Sequence, residues 1–235
     1  MFFGKPKNLN YEDRPDGADP YILLLHYTGM ETMQAAKDRL SDPKSKVSAH
    51  YLIDIDGSVF NLVPEDKRAW HAGVSYWDHA TDINSLSIGV ELVNRGHEFG
   101  YHDFPDAQMQ SLLELSCGIM SRHDITHVLG HSDVAPERKS DPGELFNWKW
   151  LADHGVGIYP NPNEQDIEQA KIIARNDYEV EKLFVAFGYN PMAAYIDTVM
   201  AFHRHFYPEI FDVRGEGQIC KESVARLLSL IRQSQ

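Results

Sequence analysis

The chain has 235 residues, 43% of them hydrophobic and 24% charged, which is room for one large domain or a medium domain with a small one. No apolar span is long enough for a transmembrane helix, and a formal net charge of −13 argues against a phosphate backbone as the main ligand. Two cysteines, Cys117 and Cys220, are too few for a disulfide framework and read as buried free thiols in helix-like stretches.

The first residues, Met1–Asn10, contain no apolar h-region and no small-residue cleavage site. A cytoplasmic location is therefore favoured, with the periplasm or cell envelope expected for a mature exported form. Residues 21–28 are a nearly continuous apolar run closed by Gly29, which predicts a strand buried on both faces. A helix follows over 31–41, then strands 49–55 and 58–62 joined at Asp56-Gly57, a hairpin signal. Strand 86–93, an amphipathic helix over 106–121 and strand 125–129 complete the pattern. The sum is an α/β fold, a mixed central β-sheet flanked by helices. The Gly/Pro/Asn cluster 155–163 reads as a linker. Beyond it, helices are predicted at 164–175, 178–187, 193–206 and 221–233, so residues 1–158 and 159–235 are expected as a larger unit and a small all-helical module docked on it.

Twelve histidines demand a criterion beyond abundance. His26 ends the first buried strand, and His131 follows the strand at 125–129 after Gly130, positions where sheet enzymes place ligands. For either alone, a core histidine satisfied by one hydrogen bond is the plain alternative. Ten residues after His131 stands Asp141. Two imidazoles and one carboxylate would leave the fourth tetrahedral position of Zn²⁺ open, the pattern of a catalytic zinc. Glu91 is an acid inside an apolar strand, either facing solvent on an edge strand or held for a task. His123, His127 and His131 have helical spacing, but their neighbours favour a strand, which puts His127 and His131 roughly 13 Å apart and rules out shared ligation. No His-Glu-x-x-His motif is present.

Five segments resemble, in order and spacing, the zinc amidases of the peptidoglycan-recognition-protein fold, in the AmpD and AmiD branch of N-acetylmuramoyl-L-alanine amidases. They are Leu24-Leu-His-Tyr-Thr28, Val47-Ser-Ala-His-Tyr-Leu-Ile53, Arg68-Ala-Trp-His-Ala-Gly73, Ser87-Ile-Gly-Val-Glu-Leu92 and residues 130–143. The resemblance implies zinc on His26, His131 and Asp141, catalytic roles for Glu91 and Lys139, and a substrate-side role for His71. Asp141 stands where phage-type and animal members have a Cys ligand, and Ala49 where they have a Tyr, so the Glu-dependent branch fits better. The C-terminal helices resemble, more loosely, the peptidoglycan-binding module attached to AmiD-type enzymes.

The implied reaction is hydrolysis of the amide between N-acetylmuramic acid, or its 1,6-anhydro form, and L-alanine of the stem peptide. Glu91 would relay the water proton to the leaving nitrogen, and Lys139 would face the oxyanion. His71 would bind the intermediate or act behind the ligands. Trp70, Tyr76 and Trp77 offer flat surface to peptidoglycan or muropeptides, or belong to the core. A receptor of the same fold that binds without turnover is the alternative.

Overall fold

An all-apolar run such as Ile22–Leu25 is stable as a strand only when both of its faces are covered. The computed structural model, which describes residues 10–213 and 215–234, provides that cover. Residues 1–9, where a leader was sought, lie outside the described residues.

The elements in order are β1 (Tyr11–Asp13), β2 (Ile22–Tyr27), α1 (Met33–Ser41), β3 (Tyr51–Ile53), β4 (Val59–Asn61) and β5 (Lys67–Ala69). Next come α2 (Ile83–Leu86), β6 (Ser87–Leu92), α3 (Gly96–Phe99), α4 (Asp106–Met120), β7 (His127–Gly130), α5 (His131–Val134) and α6 (Trp148–Asp153). The chain closes with α7 (Glu164–Ile173), α8 (Asp177–Phe187), α9 (Tyr195–Phe206), a 3₁₀ turn (Pro208–Val213) and α10 (Lys221–Gln233). The central sheet runs β4-β3-β6-β2-β7, and only the β3–β4 hairpin is antiparallel. β1 and β5 form a separate two-stranded ribbon that the sequence pattern did not announce.

Alternation along the strands sorts side chains onto two faces. Leu23, Leu25, Ile88 and Val90 meet Met109, Leu112 and Ile119 of α4 on one face. Cys117 falls off that helix stripe and is exposed, and Cys220 is half-buried where α10 begins, so neither thiol is sequestered as expected.

On the other face Ile22, Leu24 and Leu129 join Val180, Phe184, Phe202, Phe206 and Leu227 in one hydrophobic cluster. The C-terminal helices thus share their core with the sheet instead of enclosing one of their own. Even the linker is tied down, since Asn161 N donates to Ser229 Oγ at 2.9 Å and Arg232 Nη2 to Asn161 O at 3.0 Å. Trp77 sits in this cluster, 2% exposed, edge-on to Phe187 and Tyr189. No helix among the described residues is long and apolar enough to cross a membrane.

A shared core predicts shared unfolding. Circular dichroism and tryptophan fluorescence should report one coincident thermal transition, and Trp77→Ala should lower it by removing about 3–5 kcal/mol. Two separate transitions would show that the sheet and the C-terminal helices are independent units.

Candidate active site and metal centre

Ligands of open α/β sheets gather at the carboxyl ends of parallel strands. Here β2, β6 and β7 end together, and the register sets His26 beside Glu91 and Leu25 beside Gly130. His131 begins α5 directly after Gly130. The loop that follows returns Asp141 to the same place, closed by Ser132 N donating to Asp141 O at 3.0 Å.

Three atoms converge at this point. His26 Nδ1 and His131 Nδ1 are 3.0 Å apart, and Asp141 Oδ2 lies 3.0 Å from the first and 3.1 Å from the second. All three residues are buried. They form a group able to hold a metal ion.

The protons on the two imidazoles can be read from what stands behind them. Ser87 Oγ donates to Ile83 O at 2.5 Å, so it accepts from His71 Nε2 at 3.4 Å. His71 Nδ1 is then bare and accepts from His26 Nε2 at 3.0 Å. His131 Nε2 donates to Ala72 O at 3.0 Å. Both Nδ1 atoms therefore turn lone pairs toward Asp141, the state a metal ligand needs. Burial, reinforced by the neighbouring His131, pulls His26 down to about 4, so its imidazole is neutral around pH 7.

His71 is 8% exposed and packed behind His26, with both ring nitrogens occupied. Its seat exists because residue 89 has no side chain: a Cβ there would lie 2.5 Å from His71 Cγ. Asn84 Oδ1 accepts from the backbone N–H of His71 and of Ala72 at 2.9 and 2.8 Å, fixing the segment that holds both imidazoles. Asn84, Ser87 and Gly89 escaped the sequence reading, although Ser87 and Gly89 lie inside a motif that it used.

Glu91 is on a central strand, not an edge. Its Oε2 is buried with no hydrogen-bond partner among the described residues. Burial, and then the charge of Asp141, push its carboxyl well above the usual range, which Lys139 only partly offsets. Glu91, Lys139, Trp70 and His71 line one cleft of about 770 Å³ together with His26, His131 and Asp141. Trp77 does not line it: of the two readings left open for this indole, the structure has the buried one, 2% exposed and packed edge-on against Phe187, Tyr189 and His127. Tyr76 also lies outside the cleft and bonds His79. His127 packs edge-on to Trp77, and His123 Nε2 meets Glu65 Oε2 at 2.8 Å, so neither approaches the ligand group.

Comparison with known proteins agrees with this geometry. A family model described as N-acetylmuramoyl-L-alanine amidase matches residues 16–144, more than half of the chain. The chain is 33% identical to N-acetylmuramoyl-L-alanine amidase AmiD of Escherichia coli, over 88% of its own length and 81% of that protein. It is 42% identical to 1,6-anhydro-N-acetylmuramyl-L-alanine amidase AmpD of Enterobacter cloacae, over 59% of its length and 82% of the relative. Among solved structures, E. coli AmiD in complex with anhydro-N-acetylmuramic acid-L-Ala-D-γ-Glu-L-Lys has a TM-score of 0.77 at 31% identity, covering 94% of this chain and 92% of that one. AmpDh3 of Pseudomonas aeruginosa has a TM-score of 0.80 at 30% identity, covering 98% of both chains. With its parallel strand ends, its His-His-Asp group and these likenesses pointing the same way, the chain belongs to the N-acetylmuramoyl-L-alanine amidase family.

Proposed function

We propose that this chain is a zinc-dependent amidase that hydrolyses the bond between N-acetylmuramic acid and the L-alanine of a peptidoglycan stem peptide. The observation that carries this reading is the convergence of His26, His131 and Asp141 beside Glu91, whose buried Oε2 has no hydrogen-bond partner among the described residues. The ligand-bearing AmiD structure supports the substrate class.

The donor set suits zinc. Ligand atoms about 2.0–2.1 Å from a tetrahedral zinc stand about 3.3 Å from one another, close to the 3.0–3.1 Å found between the three atoms here. When bound, zinc supplies a Lewis acid that lowers the pKa of water to about 7 and polarises a carbonyl.

Glu91 has the environment of a proton carrier. Half-buried in the cleft wall, with Oε2 unpaired among the described residues, it takes a proton from the attacking water and passes it to the leaving L-alanine nitrogen, which cannot depart as an anion. Lys139 stands on the loop between His131 and Asp141, half-buried in the same cleft. Its ammonium faces the oxyanion that develops during attack. His71 touches no substrate in this reading and orients His26. Trp70 gives the cleft an aromatic wall for the saccharide, while Arg39 and Arg95 place cations at the cleft of an otherwise acidic chain, suited to stem-peptide carboxylates.

Elemental analysis of the purified protein should find about one zinc per chain, because the three donors make one site. Asp141→Ala should lose metal and turnover together, followed by mass spectrometry of muropeptides. A variant that keeps zinc and full activity would remove Asp141 from the ligand set.

Glu91→Gln should keep zinc and bind muropeptide while kcat falls on the order of a hundredfold or more. Lys139→Ala should depress kcat more than KM, as expected for a contact made in the transition state. Binding without turnover in the unaltered chain would instead identify a receptor of this fold.

A further inference from the structure

The ligand His131 is the first residue of α5, a single turn that must be held in place by something other than its own hydrogen bonds. Asp133, two residues on, is 0% exposed. Its Oδ2 accepts from Gly130 N at 2.7 Å and from His205 Nδ1 at 2.7 Å, and its Oδ1 accepts from Tyr189 Oη at 2.8 Å. The three donors come from three places: the end of β7, the turn after α8, and the last turn of α9.

A carboxylate removed from water costs several kcal/mol unless such partners surround it, so these contacts define one arrangement sharply. His205 is itself fixed, its ring stacked 3.7 Å from that of Trp148 with 22° between planes. Trp148 in turn presses on Gly130, where an added Cβ would stand 3.2 Å from Trp148 Cζ2 and 2.9 Å from Pro142 Cδ. The preceding residue of α9, Arg204, has Nε 3.8 Å from Glu144 Oε2, three residues beyond Asp141. α9 thus braces both segments that carry ligands on this side of the site.

We propose that the C-terminal helices are a built-in support of the metal centre, with Asp133, His205 and Tyr189 as positioning residues for His131. None of the three lines the cleft, so they act through the backbone of Gly130 and α5 and not on substrate. The inference rests on the reading of His26, His131 and Asp141 as a zinc site. Its physical content is preorganisation: a ligand already held in place gives tighter metal binding than one that must be ordered on binding. Loss of an outer contact of this kind typically weakens metal affinity about 10–100-fold.

The test uses the full-length protein and a chromogenic chelator competing for zinc. His205→Leu should weaken zinc binding about tenfold or more, and Tyr189→Phe, which deletes one O–H, should weaken it less. His205→Asn, whose side-chain N–H can replace Nδ1–H, should recover most of the affinity. KM for a small muropeptide at saturating zinc should stay within about twofold in all three. Leu227→Ala, a cavity in the same helices far along the chain from α5, should lower the melting temperature of the metal-free protein without changing zinc affinity. His205→Leu binding zinc as tightly as the unaltered chain overturns the proposal. So does Leu227→Ala weakening zinc as much as His205→Leu, because the effect would then be general destabilisation. If the unaltered chain binds no zinc, the metal-site reading fails first and the support has nothing to position.

Discussion

Three parallel strands stop at the same level, and everything chemical in this molecule depends on that register. β2, β6 and β7 are locked together by backbone hydrogen bonds and by apolar side chains on both faces. A slip of β2 by one residue would send His26 to the α4 face, away from His131, Asp141 and Glu91. Because both faces are buried, such a slip would also drive the apolar set of each strand into the wrong core. The hydrophobic packing of Ile22–Leu25 therefore sets where an imidazole and a carboxylate meet some residues farther on. Packing and chemistry are one constraint here, read at two ends of the same strands.

Behind the proposed ligands the structure is polar and buried. His26, His71, Ser87 and the carbonyl of Ile83 form a chain in which each donor has one acceptor, and His50 seals its flank by accepting from Gly89 N and facing Lys67 O. Burial pulls His50 down to about 3, so it too is neutral around pH 7. A cluster of charged imidazoles would repel a cation; a cluster of neutral ones oriented from behind can receive it. Glu91 is the exception, its buried Oε2 unpaired among the described residues, and that cost falls on the group proposed above as the proton carrier.

What the sequence disclosed follows from where its signals lay. His26 and His131 were legible because each ends an apolar run, and Glu91 because a charge interrupts one. The long helices α8 and α10 carry clear apolar stripes and were placed within a residue or so. β1 and β5 were invisible, being three residues each with no apolar alternation, paired only across half a hundred positions. Trp70 and Trp77 look alike in sequence, both in loop-rich chain between β5 and α2, and only the packing of α8 and of Tyr189 on one of them tells them apart. Asp133 looked like one more loop acid, because its partners Tyr189 and His205 stand 56 and 72 residues away. The boundary at 158 was drawn from composition, which registers a linker but not the core that continues beneath it.

That continuous core changes what a break in the chain would mean. The segment from Gly155 to Asn163 is a partly exposed loop rich in Gly and Pro, with Val156 buried and Asn161 bonded to α10. Cleavage there would sever one covalent connection and leave Val180, Phe184, Phe202 and Leu227 still seated on the sheet. The two pieces would remain a noncovalent heterodimer, and separating them would expose Ile22, Leu24 and Trp77 together as an apolar patch. Such patches drive aggregation in otherwise soluble proteins. For this chain the C-terminal helices are then the solubilising cover of the sheet, and a nicked molecule would behave in solution as an intact one until denaturant parts its halves.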